Sequence, residues 1–233
     1  VGAGVILCMA FGEQDWRTAS RASSGLAPRP EEEREAVVQV YAARTFNWRG
    51  YFAVHTWIAL KEKNAPSYTT YQVIGWYLGW KGTAVDIRQD TPDRFWYGAE
   101  PQLIEELRGE EAEKAIPQIK KLAATYPYGK TYNAWPGPNS NTFISYIVRN
   151  VPELTVELPP HAIGKDWSPK LIEKSESGSG YQLTFYGLFG VTVGRAEGIE
   201  INILGLNFGV DFYRPALKLP LFGRIGLKDE PLQ

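Results

Sequence analysis

The chain has 233 residues, with 25 basic side chains against 26 acidic ones, and 13 % of its residues are aromatic. That length suits one domain with a real hydrophobic core, alone or with a smaller appendage, and the near balance of charge gives no reason to propose nucleic acid as a partner. Cys8 is the single cysteine, which excludes an internal disulfide and a cysteine-rich metal site, and His55 and His161 match no zinc spacing, so no metal and no cofactor is expected.

The opening VGAGVILCMAF carries no charge over eleven residues. It is too short to span a bilayer alone, which takes about 20 residues, but it fits the last turns of a signal-anchor helix or a signal-peptide core. Residues 1–15 are therefore expected to be a membrane-anchor remnant, with Val5, Ile6, Leu7 and Phe11 in the lipid and Trp16 at the headgroups. A buried N-terminal strand is the alternative. The expectation that follows is a bacterial inner-membrane protein with its folded domain on the periplasmic side and a protein partner in a membrane complex.

Residues 16–35 are rich in Ser, Ala, Pro and charge and are expected to be a linker or arm. An α+β core is expected over 36–158. It begins with three strands in an antiparallel meander: AVVQVYAART, then YFAVHTWIAL after the turn at Asn47–Gly50, then YTTYQVIGWYLGW. In the second strand Phe52, Val54, Thr56 and Ile58 share one face, and His55 lies on the other with Trp57. The polar stretch 81–100 is expected to be a loop. Pro101 opens a short helix through Leu107, and a second helix covers roughly 110–125, with Pro117 kinking or restarting it.

The stretch WPGPNSNTF, Trp135 to Phe143, is a rigid proline turn followed by several N-cap side chains, and it predicts a helix from 140 to 150. Ser140 in its first turn sits where free N–H groups favour developing negative charge. It reads equally well as a plain cap residue. Residues 159–233 are expected to be a loop carrying His161, then glycine-rich hairpins, then an extended tail. Eight of the 23 glycines fall between 178 and 209, which favours tight hairpins over helix.

A nucleophile at a helix start and a base on a strand are the two parts of an acyl-transfer site. Ser140 and His55 are the candidates, with Tyr71 or Gln72 on the following strand to orient the imidazole. Asn139, Asn141, Trp135, Trp57 and His161 are candidate binding residues around them. His161, in LPPHAIGKDW, reads either as a lid over the helix start or as a surface-loop histidine.

The order of VHTWI, next strand, helices and then NSNTF resembles the circularly permuted papain-like hydrolases, among them the permuted NlpC-type amidases, the PPPDE peptidases and the lecithin-retinol acyltransferase relatives. Asn139, Asn141 and Phe143 match their N-C-N-x-F motif over roughly residues 36–150, and Ser140 stands where those families have cysteine. The resemblance implies a permuted papain-like antiparallel sheet packed on helices. A thiol with a reference pKa of about 8.5 ionises readily beside imidazole, whereas a serine needs a positioned base. The departure therefore leaves two readings: a fold kept for binding or as an accessory subunit, which is the leading one, and a serine-dependent amidase or acyltransferase acting on a cell-wall, peptide or lipid substrate. From about Trp16 to Leu227 the chain also resembles a bacterial envelope family known only as a domain of unknown function. SSGLAP, AVVQVYAART, WRGYFAVHTWIA, AWPGPNSNTF, LPPHAIGKDW and PALKLPLFGRIG carry that likeness, which implies membership and no activity.

Overall fold

The β-branched run that opens the folded region forms strand β1 (Val37–Arg44), and the strand is buried along nearly its whole length. A 3₁₀ turn over Asn47–Tyr51 leads into β2 (Val54–Lys61), which pairs antiparallel with β1, Tyr41 opposite Trp57. β3 (Thr69–Val73) ends earlier than the aromatic run 74–80 suggests. There the chain turns through a 3₁₀ segment into the four-residue helix α1 (Leu78–Lys81), which Gly82 terminates in a left-handed conformation. The expected loop at 81–100 contains β4 (Val85–Gln89), paired antiparallel with β3.

The expected helix at 101–107 is instead β5 (Gln102–Arg108). Its Leu, Ile, Glu and Arg content favours a helix, but the run has the length of a strand and completes the free edge of β1, with Glu105 opposite Val40. Tertiary pairing outweighs the weak local preference. The first sheet thus runs β4-β3-β2-β1-β5. Helix α2 (Gly109–Ala124) keeps Pro117 inside it, and α3 (Ser140–Asn150) follows. Both bury an apolar face, Ile116 and Ile119 from α2 and Phe143, Ile144 and Ile147 from α3, against Val38, Val40, Ile58 and Tyr71 of the sheet. The opposite face holds a second core of Tyr41, Trp57, Tyr68, Ile74 and Trp96.

The computed structural model describes residues 15–228. Residues 15–35 contain no helix or strand but are held down: Asp93 accepts from the backbone N–H groups of Leu26 and Ala27 and from the hydroxyls of Ser23 and Ser24. The expectation of an N-terminal membrane anchor and an inner-membrane location is corrected. No helix among the described residues is long and apolar enough to cross a membrane, and Val5, Ile6, Leu7 and Phe11 lie outside those residues. The membrane-complex partner inferred from that segment loses its basis with it. Trp16 is exposed and lies under the Arg17 guanidinium.

The C-terminal region forms a second sheet, a seven-stranded antiparallel meander in chain order. Its strands are β6 (Ile172–Lys174), β7 (Gly180–Phe185), β8 (Phe189–Gly194), β9 (Gly198–Ile203), β10 (Leu206–Asp211), β11 (Ala216–Leu219) and β12 (Gly223–Gly226). The expected extended tail is therefore a hairpin, β11 with β12. The architecture is mixed and mostly sheet, two antiparallel sheets with three helices, which fits α+β.

The second sheet inverts the usual arrangement of its two faces. Its inner face is polar: Gln182, Thr192, Glu200, Asn202, Asn207 and Lys218 are buried against the loop 154–171. There the Lys165 ammonium meets Glu200 at 2.8 Å, Lys218 pairs with Glu157 and with Glu200, and Asp166 accepts from Asn202 and Asn207. Burial alone would raise the Glu200 carboxyl, but Lys165 and Lys218 overcome it and hold that group well below its ordinary range. The outer face is apolar. One row runs across six strands as Tyr181, Val193, Ile199, Val210, Leu217 and Ile225, and a second across five as Ile172, Leu183, Val191, Ile201 and Phe208. Each of these side chains is 40–66 % exposed.

Candidate functional site

The start of α3 is built by its own polar residues. Asn139, in an extended conformation, caps the helix: its Oδ1 accepts from the N–H groups of Asn141 and Thr142, and Thr142 Oγ1 accepts from Asn139 N. The Asn139 amide nitrogen donates to Ala134 O and Ile163 O. Asn141 donates to Val54 O and Ile163 O and accepts from Thr56 Oγ1. Thr142 donates to Gly164 O, Ser145 to Lys165 O, and Val54 N to His161 O. The loop 159–167 is thereby strapped along the helix and onto β2. Asn139 and Asn141, expected as binding residues, have their amides committed to this strap.

Ser140 differs from its neighbours. It is buried to a similar degree, yet its hydroxyl makes no hydrogen bond among the described residues. The first N–H of the helix, that of Ser140, is also unbonded there, because the cap satisfies those of Asn141 and Thr142.

His55 comes from the start of β2. Its ring lies flat on Trp96, centroids 3.7 Å apart, with Trp57 and Tyr41 stacked further in. Gln72 on β3 meets His55 Nε2 through Oε1 at 3.0 Å, and the Gln72 amide nitrogen donates to Asp86 Oδ2 at 3.1 Å. Asp86 is in turn held by Lys81 and Arg88. This chain fixes the tautomer: Gln72 Oε1 accepts, so the proton sits on Nε2 and Nδ1 keeps its lone pair. Burial lowers the His55 pKa to about 3, with Arg94 adding to the effect against the Gln72 bond, so the ring is neutral near pH 7.

His55 and Ser140 line one cavity of about 510 Å³. No hydrogen bond joins them among the described residues. The remaining lining is rich in aromatic side chains, including Trp48, Trp76, Trp96, Tyr132 and Trp135, and among the described residues Arg49 is the only charged side chain in it. Trp48, Trp76 and Trp135 are more than half exposed and form the rim.

The other expected residues separate. Tyr71 points to the opposite face of β3 and packs in the core beneath the helices, where burial raises its pKa, so Gln72 and not Tyr71 orients His55. Trp57 is buried under His55, its indole N–H donating to Pro92 O, and does not line the cleft. The His161 ring lies in a different cavity, of about 620 Å³, with Arg44, Phe222 and Gly223, so its loop covers the helix start but its side chain does not. Its Nδ1 is buried without a partner, and burial, with Arg44 and Lys165, lowers its pKa to about 3. Among the described residues no three His, Cys, Asp or Glu side chains gather as metal ligands.

Sequence reasoning missed Asp86 and Trp96, both inside the segment read as a loop. The alternation of Val85 and Ile87 with Asp86 and Arg88 was the available signal for β4. Nothing in sequence distinguishes Trp96 from the seven other tryptophans.

No curated protein and no solved structure matches the chain. Residues 35–167, more than half of its length and the whole of the cleft, match a family described as a protein of unknown function, DUF3750. The chain therefore belongs to the DUF3750 family of proteins of unknown function.

Proposed function

We propose that the cleft is an acyl-transfer site on a permuted papain-like framework, acting on an amide or ester whose acyl part is apolar or aromatic. Ser140 is the nucleophile, His55 the base, and Gln72 with Asp86 the positioning pair. The observation that carries this reading is the Asp86–Gln72–His55 chain, which fixes a neutral imidazole with Nδ1 unprotonated in the cavity that also receives the unengaged Ser140 hydroxyl.

In this mechanism Ser140 Oγ attacks the acyl carbonyl as its proton passes to His55 Nδ1. The oxyanion forms beside the free Ser140 N–H at the helix start, where the dipole favours it. The imidazolium then protonates the leaving amine or alcohol as its bond to the acyl carbon breaks. Water or a second acceptor then attacks the acyl-serine as its proton passes to His55, and the imidazolium returns that proton to Ser140 Oγ as the acyl–oxygen bond breaks. The aromatic walls and lack of carboxylates suit an apolar acyl group, with Arg49 available to a negatively charged end of the substrate.

A binding cleft without turnover is the second reading. The missing Ser140–His55 hydrogen bond favours it, and so does the low His55 pKa, which makes a weak base. Release of nitrophenol from nitrophenyl esters of graded chain length separates the two. Acyl transfer predicts activity that Ser140→Ala and His55→Gln each abolish while the protein stays folded. Ligand quenching of tryptophan fluorescence that is equal in wild type and Ser140→Ala, with no turnover in either, rejects the enzyme.

A further inference from the structure

We infer that the apolar outer face of the second sheet is a docking surface for a lipid surface carrying anionic headgroups. This rests on nothing in the acyl-transfer proposal, and it involves no segment that crosses a bilayer. The two rows of side chains described above form a continuous apolar field across the strands, far from the scattered single apolar residues that a water-facing sheet tolerates. Six strands at about 4.8 Å spacing, with two rows that each take up about two residues at about 3.3 Å, give a field of roughly 400 Å². A face of that size and regularity has an apolar phase or a partner as its counterpart.

Charge decides which. Among the described residues from 171 to 228, the exposed ionisable side chains apart from tyrosines are Lys174, Arg195 and Lys228, all basic. Of the acids of the same sheet, Glu197, Glu200 and Asp211 are buried beneath it, and Glu173 on β6 is half-buried and pairs with Arg149. Lys174 lies opposite Tyr181 and so at the edge of the apolar field itself. A second copy would bring like charges together around the seam. An anionic lipid surface meets both the field and its rim. Tyr181, Tyr186 and Tyr213 are exposed on the strands and turns of this sheet, residues whose amphipathic rings suit a headgroup layer.

The turns at one end of this sheet also reach the first domain. The Trp135 indole donates to Leu204 O in the β9–β10 turn, and Arg44 donates to Leu221 O in the β11–β12 turn. These turns are apolar and exposed, with Leu204, Leu221 and Phe222 outermost.

The test is flotation of the full chain with phosphatidylcholine vesicles, with and without phosphatidylglycerol, alongside light scattering for mass. The expected result is binding to the phosphatidylglycerol vesicles that falls at least tenfold in Val191→Glu/Ile201→Glu, with an unchanged melt. The uncharged pair Ile199→Gln/Val210→Gln lowers it several-fold and guards against misfolding of the first variant. Lys174→Glu/Arg195→Glu weakens binding to anionic vesicles alone. Binding that survives both face variants overturns the proposal, and so does a stable dimer that ignores vesicles and is split by the same variants. Equal partition onto both vesicle types overturns the role of the basic rim.

Discussion

Asn139, Ser140 and Asn141 are adjacent, polar and buried, at 5, 6 and 2 % exposure, yet alanine at each should do very different things. Asn139→Ala removes the helix cap and leaves Ala134 O without the amide that served it, while Ile163 O keeps its bond from Asn141. A lost cap costs about 1 kcal/mol and a buried carbonyl left without its donor about 1–3 kcal/mol more, so the total is about 2–4 kcal/mol. Asn141→Ala frees Thr56 Oγ1 and Val54 O on β2, Ile163 O keeping its bond from Asn139, and has a similar cost of about 2–4 kcal/mol. Ser140→Ala breaks no side-chain hydrogen bond and should stay within about 0.5 kcal/mol. At this chain length 1 kcal/mol moves Tm by about 2–4 °C, so the neighbours should lose roughly 4–16 °C and Ser140→Ala almost nothing. Thermal melts followed by circular dichroism, with urea midpoints as a second measure, read all three. A Ser140→Ala protein as unstable as its neighbours, or a neutral Asn141→Ala, would refute the division between a structural strap and a free hydroxyl.

Acid should destabilise the fold before its carboxylates titrate. His55 and His161 have folded pKa values of about 3 against an ordinary 6.5, so the unfolded chain takes up protons first. Their contribution is complete above about pH 6.5 and falls as pH drops towards 3, by about 1.4 kcal/mol per pH unit per histidine at most. Tm measured from pH 7.5 to 5 should decline and the slope should lessen in His161→Gln; a flat profile contradicts the two buried neutral rings. Gly164→Ala places a Cβ 2.4 Å from the Asn139 amide in a left-handed backbone, whereas Gly25→Ala meets open space at a similar φ. The first should melt several degrees lower than the second, and equal melts would mean that the strap yields freely. Gln72→Glu sets a carboxylate against His55 Nε2 and should raise its pKa, moving the acid edge of any esterase activity to higher pH; an unmoved edge removes His55 from the reaction.

The parts of this site visible in the sequence are those with short-range signatures. The proline turn followed by Asn-Ser-Asn-Thr is a local capping signal, and α3 begins where it predicts, at Ser140. The β-branched, apolar run likewise marks β1, and turn chemistry marks the hairpins of the second sheet. What stayed hidden depends on long-range pairing. β5 reads as helix until the edge of β1 is there to receive it, and the choice of Gln72 over Tyr71 follows from which face of β3 meets His55. The alternation that puts Glu200 inside and Ile199 and Ile201 outside is plain in the sequence. Its inverted sense is not, because it depends on Lys165 and Lys218 arriving from elsewhere to pair the buried acids.

The most direct measurement is intact-mass and peptide analysis of the protein after treatment with a fluorophosphonate, which phosphonylates a serine that a neighbouring base activates. The account predicts a single adduct on the peptide containing Ser140, lost in Ser140→Ala and slowed by at least tenfold in His55→Gln and Gln72→Leu. A folded wild-type protein that remains unlabelled, or one labelled at another residue with Ser140 intact, would contradict it.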